Sequence, residues 1–300
     1  MGCTRDCARE EAGGCKSEFG RASGTWTALE FAGGLRENGG VQTLTVHGLQ
    51  YDLAWEDAPA NCARVEQFLT ALRPAPGSLV ALPEMFSSGF SFQVEAASQL
   101  PGGNTERFLA DLARRHGVWL VAGLAVGCGD GKARNESVAF SPTGEVVTRY
   151  RKQRPFSPGG EHLHYLPGKE PVVFLWGQVP VALLVCYDLR FPELFRVAAA
   201  RWRPELYVVI ASWPDKRVAH WVKLLQARAI ENQAWVLGVN RTGSDPSHRY
   251  VGRSILVNPW GEITADAGET EGWASGDLDL AALRDYREKL PFLADLTLPC

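Results

Sequence analysis

The chain has 300 residues, 45% hydrophobic and 22% charged, which excludes a mainly disordered protein, and its 31 glycines follow no Gly-X-Y period, which excludes collagen. Lys and Arg number 31 against 34 Asp and Glu, a formal charge of −3, so there is neither the basic footprint of a nucleic-acid binder nor a polybasic membrane-surface block. The longest apolar runs, Val179 to Val185 and Leu206 to Trp213, are too short to span a membrane. Seven irregularly spaced cysteines in a chain this long point to free thiols in a reducing compartment, hence the cytoplasm.

Residues 1–40 hold Cys3, Cys7 and Cys15, scattered charges and repeated Gly pairs without a hydrophobic period. They are expected to be a poorly ordered extension. The segment lacks the apolar stretch of a secretory signal, has Asp6 where a myristoylation signal wants Ser or Thr, and lacks the paired cysteine spacing of a zinc site.

From Val41 onward, short apolar strands alternate with amphipathic helices. Val41 to Leu49 is a predicted strand, Pro59 to Leu72 a helix with Pro59 in its first turn, and Ser78 to Leu82 a strand. Asn104 to His116 is a predicted helix capped by Asn104. Strands are expected at Val118 to Val126, Ser137 to Ser141 and Glu145 to Tyr150, the last two joined by a turn at Pro142-Thr143-Gly144. Two more strands, Val172 to Trp176 and Val179 to Val185, precede a helix from Pro192 to Trp202. Then come a strand at Leu206 to Ala211, a helix at Lys216 to Asn232, and closing strands at Trp235 to Asn240 and Arg253 to Asn258. Near-continuous apolar strands alternating with helices imply an α/β domain over 41–300, its sheets covered by helices.

Three residues stand where predicted strands end. Cys186 follows Val179 to Val185 and precedes a helix, the position of a nucleophile elbow, where nearby backbone N–H groups lower a thiol pKa and hold an oxyanion; the alternative is a buried structural cysteine. Glu84 follows Ser78 to Leu82, at the carboxyl end of a sheet where α/β enzymes bind ligands; by itself it is equally a solvated loop charge. Lys152, between Arg151 and Arg154 just after Tyr150, reads alone as part of a solvated basic cluster.

Taken together, Leu82-Pro83-Glu84-Met85-Phe86, Tyr150-Arg151-Lys152 and the run Val185-Cys186-Tyr187-Asp188-Leu189-Arg190-Phe191-Pro192-Glu193 resemble the nitrilase, or carbon–nitrogen hydrolase, superfamily. The stretches Ala211 to Pro214, Gln226 to Gln233, Asn240 to Asp245 and Asn258 to Glu262 extend the resemblance over roughly Val41 to Pro291. It implies a four-layer α-β-β-α sandwich, pairing into a homodimer or larger assembly, and a catalytic Glu84, Lys152 and Cys186. Glu161 matches the family's second glutamate. Arg154-Pro155 departs from the histidine-containing pair common after the family's lysine. His162 and His164 are read as loop residues.

The chemistry suits these residue types. A thiol is mostly protonated at neutral pH and needs a base, Glu84, and a nearby cation, Lys152. The tetrahedral oxyanion would be held by Lys152 and the backbone N–H of Tyr187. No metal or other cofactor is required, and no ligand set has zinc spacing.

Within the superfamily the sequence is most similar to the omega-amidase branch, through Met85 to Ser91, Cys186 to Pro192 and Ser212 to Arg217. That implies a small amide substrate such as 2-oxoglutaramate or 2-oxosuccinamate, with water as the second reactant. Its carboxylate needs a cation: Arg217 is the first candidate and Arg190 the second, the alternative for Arg190 being an ion pair with Glu193 or Asp188. Phe86, Phe90 and Trp213 are expected pocket walls. Another amidase, a carbamoylase, a nitrilase, or a non-catalytic binding relative are the competing readings.

Overall fold

The computed structural model describes residues 44–297; the expected extension over 1–40 lies outside the described residues. In chain order the elements are β1 (Leu44–Gln50), α1 (Ala58–Leu72), β2 (Leu79–Ala81), α2 (Val94–Ala97), α3 (Asn104–His116), β3 (Trp119–Gly127), β4 (Ala133–Phe140) and β5 (Val146–Arg151). There follow β6 (Val173–Trp176), β7 (Val179–Val185), α4 (Pro192–Trp202), β8 (Leu206–Ile210), α5 (Val218–Asn232) and β9 (Trp235–Val239). The chain ends with β10 (Thr242–Ser244), β11 (Arg249–Val251), β12 (Ile255–Val257), β13 (Ile263–Asp266), β14 (Gly272–Leu278) and α6 (Leu280–Lys289).

The strands form two six-stranded sheets, ordered β14-β1-β2-β3-β4-β5 and β13-β12-β9-β8-β7-β6, plus the hairpin β10-β11. β1, β2 and β3 run parallel, as do β7, β8 and β9. Side chains alternate across each strand, and that alternation builds the layers. Val181, Leu183 and Val185 join Leu79, Ala81 and Val121 in the core between the sheets. Ala182 and Leu184 point the other way, into a second core with Phe195 of α4 and Trp221 and Leu225 of α5. On the far face of the first sheet, Val80 and Leu120 pack with Val65 and Leu69 of α1 and Leu109 and Leu112 of α3. Both faces of the central strands are therefore dry, which is why they read as unbroken apolar runs. Each fully buried Leu or Val contributes about 1.5–3 kcal/mol. The expected α-β-β-α sandwich is the observed architecture.

Local signals explain most element ends. Asp57 caps α1 by accepting the Ala60 N–H, and the helix stops at Arg73 in a left-handed conformation. The expected Asn104 cap is not formed: Gly103 occupies that position, and Asn104 is the first helical residue, its carbonyl oxygen turned to Arg107. The helix expected from Lys216 begins at Val218, after a 3-10 turn over Asp215–Arg217. β4 begins at Ala133 rather than Ser137, because the polar stretch Arg134-Asn135-Glu136 pairs with β3.

The sequence reading ended the strands at Asn258, whereas β13, β14 and α6 follow. β14, with two glycines and an aspartate, has little intrinsic strand preference; it is held by antiparallel pairing with β1, Leu44 opposite Leu278 and Gln50 opposite Gly272. Among the described residues no helix is long and apolar enough to cross a membrane.

Candidate active site

The carboxyl ends of the parallel strands converge on one polar cluster. β7 ends at Val185, and Cys186 turns the chain with φ 47° into a short 3-10 turn over Cys186–Arg190. A left-handed conformation is uncommon for a residue with a Cβ and stores strain. The turn is pinned from beneath by buried Asp188, which accepts hydrogen bonds from Tyr150 Oη at 2.8 Å, the Arg154 N–H at 2.9 Å and the Val185 N–H at 3.1 Å. The Arg154 bond fixes the path of the loop that departs from the family's usual pattern. Burial pushes the Asp188 carboxyl up to about 7, against the opposing pull of Lys152 and the donors.

Glu84 is reached by a second strained turn, with Met85 at φ 47°. This loop lies directly on β3 at Gly123, where a Cβ would come within 2.5 Å of Glu84 Cα; only glycine admits so close a backbone approach. The fully buried Glu84 carboxylate accepts from Lys152 Nζ at 2.9 Å and Asn135 Nδ2 at 2.6 Å on Oε1, and from the Ser212 N–H at 2.7 Å on Oε2. Ser212 follows β8, so this last bond ties the two sheets together across the site.

Lys152, one residue past β5, also donates to both oxygens of buried Glu161, at 3.1 and 2.8 Å. Glu161 is held in turn by Asn135 Nδ2 at 2.9 Å and by the Phe156 N–H. Burial alone would lower the lysine, but the charges of Glu161 and Glu84 outweigh it and hold Lys152 well above its ordinary value. The ammonium is therefore fixed and charged.

Glu84, Lys152, Glu161 and Cys186, far apart in sequence, are thus brought together. The expected lowering of the thiol is not produced. The low-dielectric surroundings of the sulfur, and next the Glu84 charge, push Cys186 well above the usual thiol range, with Lys152 opposing. The resting sulfur is protonated beside a carboxylate, an arrangement suited to proton transfer during attack.

A cleft of about 420 Å³, part of it open to solvent, is lined by Cys186, Tyr187 and Ser212, with Phe90, Phe156, Trp213 and Tyr250 as ring walls. Three basic side chains line it: Arg190, Arg217 and His248. Arg190 lies over the Trp213 ring at 4.8 Å and Arg217 over Phe156 at 5.5 Å. Neither arginine has a carboxylate within salt-bridge distance among the described residues; Glu193 faces Arg154 at 3.7 Å, and Asp188 is engaged as above. The ion-pair alternative for Arg190 is therefore absent. Burial and the neighbouring Arg217 charge pull Arg190 below its ordinary value.

Phe86 is not a pocket wall. It is fully buried in the core beneath α1 and α3, so Phe90 is the member of that stretch that faces the cleft. His164 stacks on Phe92 at 5.0 Å, and neither it nor His162 lines the cleft. Sequence reading missed Asn135, Phe156, His248 and Tyr250. The last two sit on or beside the β10-β11 hairpin, whose Asp245 turn accepts the Ser247 and His248 N–H groups and the Tyr250 hydroxyl; Asp-Pro followed by Ser was the available turn signal.

Against known proteins, the family model described as carbon-nitrogen hydrolase matches residues 43–288. The chain is 38% identical over 255 residues to Omega-amidase YafV of Escherichia coli (strain K12), covering 84% of this chain and 96% of that one. It is 31% identical over 253 residues to 2-oxoglutaramate amidase of Bacillus subtilis (strain 168), covering 84% and 97%. The solved structure of XC1258 from Xanthomonas campestris, a CN-hydrolase superfamily protein with an arsenic adduct in its active site, superposes with a TM-score of 0.81 at 30% identity, covering 86% and 98%. With this fold, this site and these relatives, the chain belongs to the carbon–nitrogen hydrolase family and is a hydrolase acting on amides.

Proposed function

We propose that this protein hydrolyses the terminal amide of a small carboxylate-bearing substrate, of the 2-oxoglutaramate or 2-oxosuccinamate type, through an acyl-thioester on Cys186. The carrying observation is that Cys186, backed by the buried Glu84–Lys152–Glu161 cluster, lines one cleft with two arginines that have no carboxylate partners among the described residues. The cluster supplies acid–base chemistry; the arginines supply a counter-charge for the substrate's free carboxylate. The names of the bacterial relatives, an omega-amidase and a 2-oxoglutaramate amidase, support the same substrate class.

In this reading Glu84 takes the thiol proton as sulfur attacks the amide carbonyl carbon. The carbonyl oxygen becomes an oxyanion held by the Lys152 ammonium and by the Tyr187 N–H, which lies at the start of its 3-10 turn and has no intrahelical acceptor. Glu84 passes the proton to the amide nitrogen, the C–N bond breaks and ammonia leaves. A water then gives a proton to Glu84 and attacks the thioester carbonyl. The C–S bond breaks, the proton returns to sulfur, and the acid is released. Glu161 holds Lys152 in place. Arg217 receives the carboxylate, with Arg190 beside it and Trp213 as the adjoining wall.

The test is ammonia release from 2-oxoglutaramate, a simple aliphatic amide, an N-carbamoyl amino acid and a nitrile. The expected result is preference for the keto-acid amide by about 100-fold or more in kcat/KM, the worth of a charge-assisted contact pair. Negligible keto-amide turnover beside rapid turnover of another class would overturn the substrate assignment.

A further inference from the structure

Asn135 sits between the two carboxylates of the buried cluster. It lies on β4 near the strand's start and is almost wholly buried. Its single Nδ2 donates to Glu84 Oε1 at 2.6 Å and to Glu161 Oε1 at 2.9 Å. Its backbone carbonyl accepts the Lys152 N–H at 2.8 Å. One residue therefore touches the base, the second carboxylate and the backbone that delivers the lysine.

The same two Oε1 atoms also accept from Lys152 Nζ, at 2.9 and 3.1 Å. The carboxylates thus face each other across two donors, one cationic and one neutral. Two carboxylates against one ammonium leave an excess negative charge in a buried site, and buried carboxylates that close tend to share a proton. A proton on Glu84 would block the transfer from Cys186. A primary amide resists that outcome without competing for the proton, because it neither takes nor gives one in this pH range. Its other end, Oδ1, is buried with no hydrogen-bond partner. A buried orphan acceptor is uncommon and calls for an explanation; here the donor end is committed to both carboxylates.

We infer that Asn135 is a positioning residue that bridges Glu84 and Glu161 and fixes both on Lys152, leaving Glu84 placed to accept the Cys186 proton. This rests on the reading of Glu84 as the base. The other groups whose charge reaches the cluster are Lys152, Cys186, Asp188, Tyr165, and Tyr250 of β11.

The experiment uses the full chain and reads Cys186 directly: peptide-resolved alkylation by iodoacetamide as a function of pH, in wild type, Asn135→Ala and Asn135→Asp. Removing the neutral donor makes the carboxylate pair take up a proton more readily. The acid-side midpoint of Cys186 alkylation should therefore move up by about one pH unit in N135A, a roughly tenfold slower reaction on the acid limb, with little change on the alkaline side. N135D adds a third carboxylate and should move it further. Turnover of the preferred amide should lose roughly 10- to 100-fold in kcat with KM nearly unchanged, as expected for a group that acts only through the base. A uniform loss at every pH with an unmoved midpoint would overturn the inference and leave Asn135 a structural residue. Should N135A not fold, N135D has nearly the native shape and carries the same test. If no amide is turned over by wild type, the proposed function fails while the alkylation profile still decides the role of Asn135.

Discussion

The buried cluster behind Cys186 and the cationic wall of the cleft are built on opposite rules. Around Glu84, Lys152 and Glu161, every carboxylate oxygen and the ammonium have partners inside the protein, from four separate segments of chain. Along the cationic wall, Arg190 and Arg217 are half-buried, stacked on rings, mutually repulsive and without a carboxylate. A network whose charged atoms are all partnered is rigid; under the proposed function it does the same chemistry on whatever amide is delivered. Arg190 meets the His220 ring at 3.3 Å but no counter-charge; on the same proposal, cations lacking a carboxylate are neutralised by what binds, and so select. Under the proposed function, the reaction class and the substrate choice are written in different places.

That division can be broken first at the cationic wall. Arg217→Ala, and to a lesser degree Arg190→Ala, should raise KM for the keto-acid amide by roughly 10- to 100-fold, the loss of a hydrogen bond to a charged group. A neutral amide of equal length should be turned over within about twofold of the wild-type rate. Steady-state kinetics on both substrates check this; equal losses on both would mean that the arginines support the fold or the thiol and do not choose the substrate.

A stability effect sharpens the description of the buried cluster. Asp188 is raised from 3.8 to about 7 by burial. Between those values the unfolded chain has it ionised while the folded protein keeps it protonated, so unfolding releases a proton. Its contribution to stability is therefore greatest in acid and falls as pH rises from about 4 to about 7. Asp188→Asn removes that slope, whatever it does to the absolute Tm. Thermal unfolding across this window should show a Tm decline smaller by about 10 °C in D188N, a shift of about three pH units being worth about 4 kcal/mol; parallel curves would show that its three donors keep Asp188 ionised throughout.

The acid–base cluster and the two arginines of the cleft wall were named from the sequence, whereas Asn135, Phe156, His248 and Tyr250 were not. Glu84 and Cys186 each follow an apolar strand, and a strand that is dry on both faces announces its own end; Lys152 follows the half-exposed β5 and was legible only through the family resemblance. Asn135 gave no such sign: it sits in a polar stretch that becomes strand only because β3 lies alongside. β14 was invisible for the same reason, its place being set by β1 and not by its own residues. Phe86 and Phe90 are both aromatic and four residues apart; which one faces the cleft depends on the strained turn at Met85, which no periodicity reports. His248 and Tyr250 reach the cleft from a hairpin that pairs with neither sheet. The thiol was misjudged because a strand-to-helix turn suggests donors that lower it, whereas desolvation and the Glu84 charge prevail in the assembled site.

The most direct test of the account is mass spectrometry of rapidly quenched turnover with 2-oxoglutaramate. The expected result is a transient adduct on the Cys186 peptide equal in mass to substrate less ammonia, and its absence in Cys186→Ala together with at least about a 10⁴-fold loss of ammonia release. Undiminished ammonia release by C186A, or an adduct on a different residue, would contradict it.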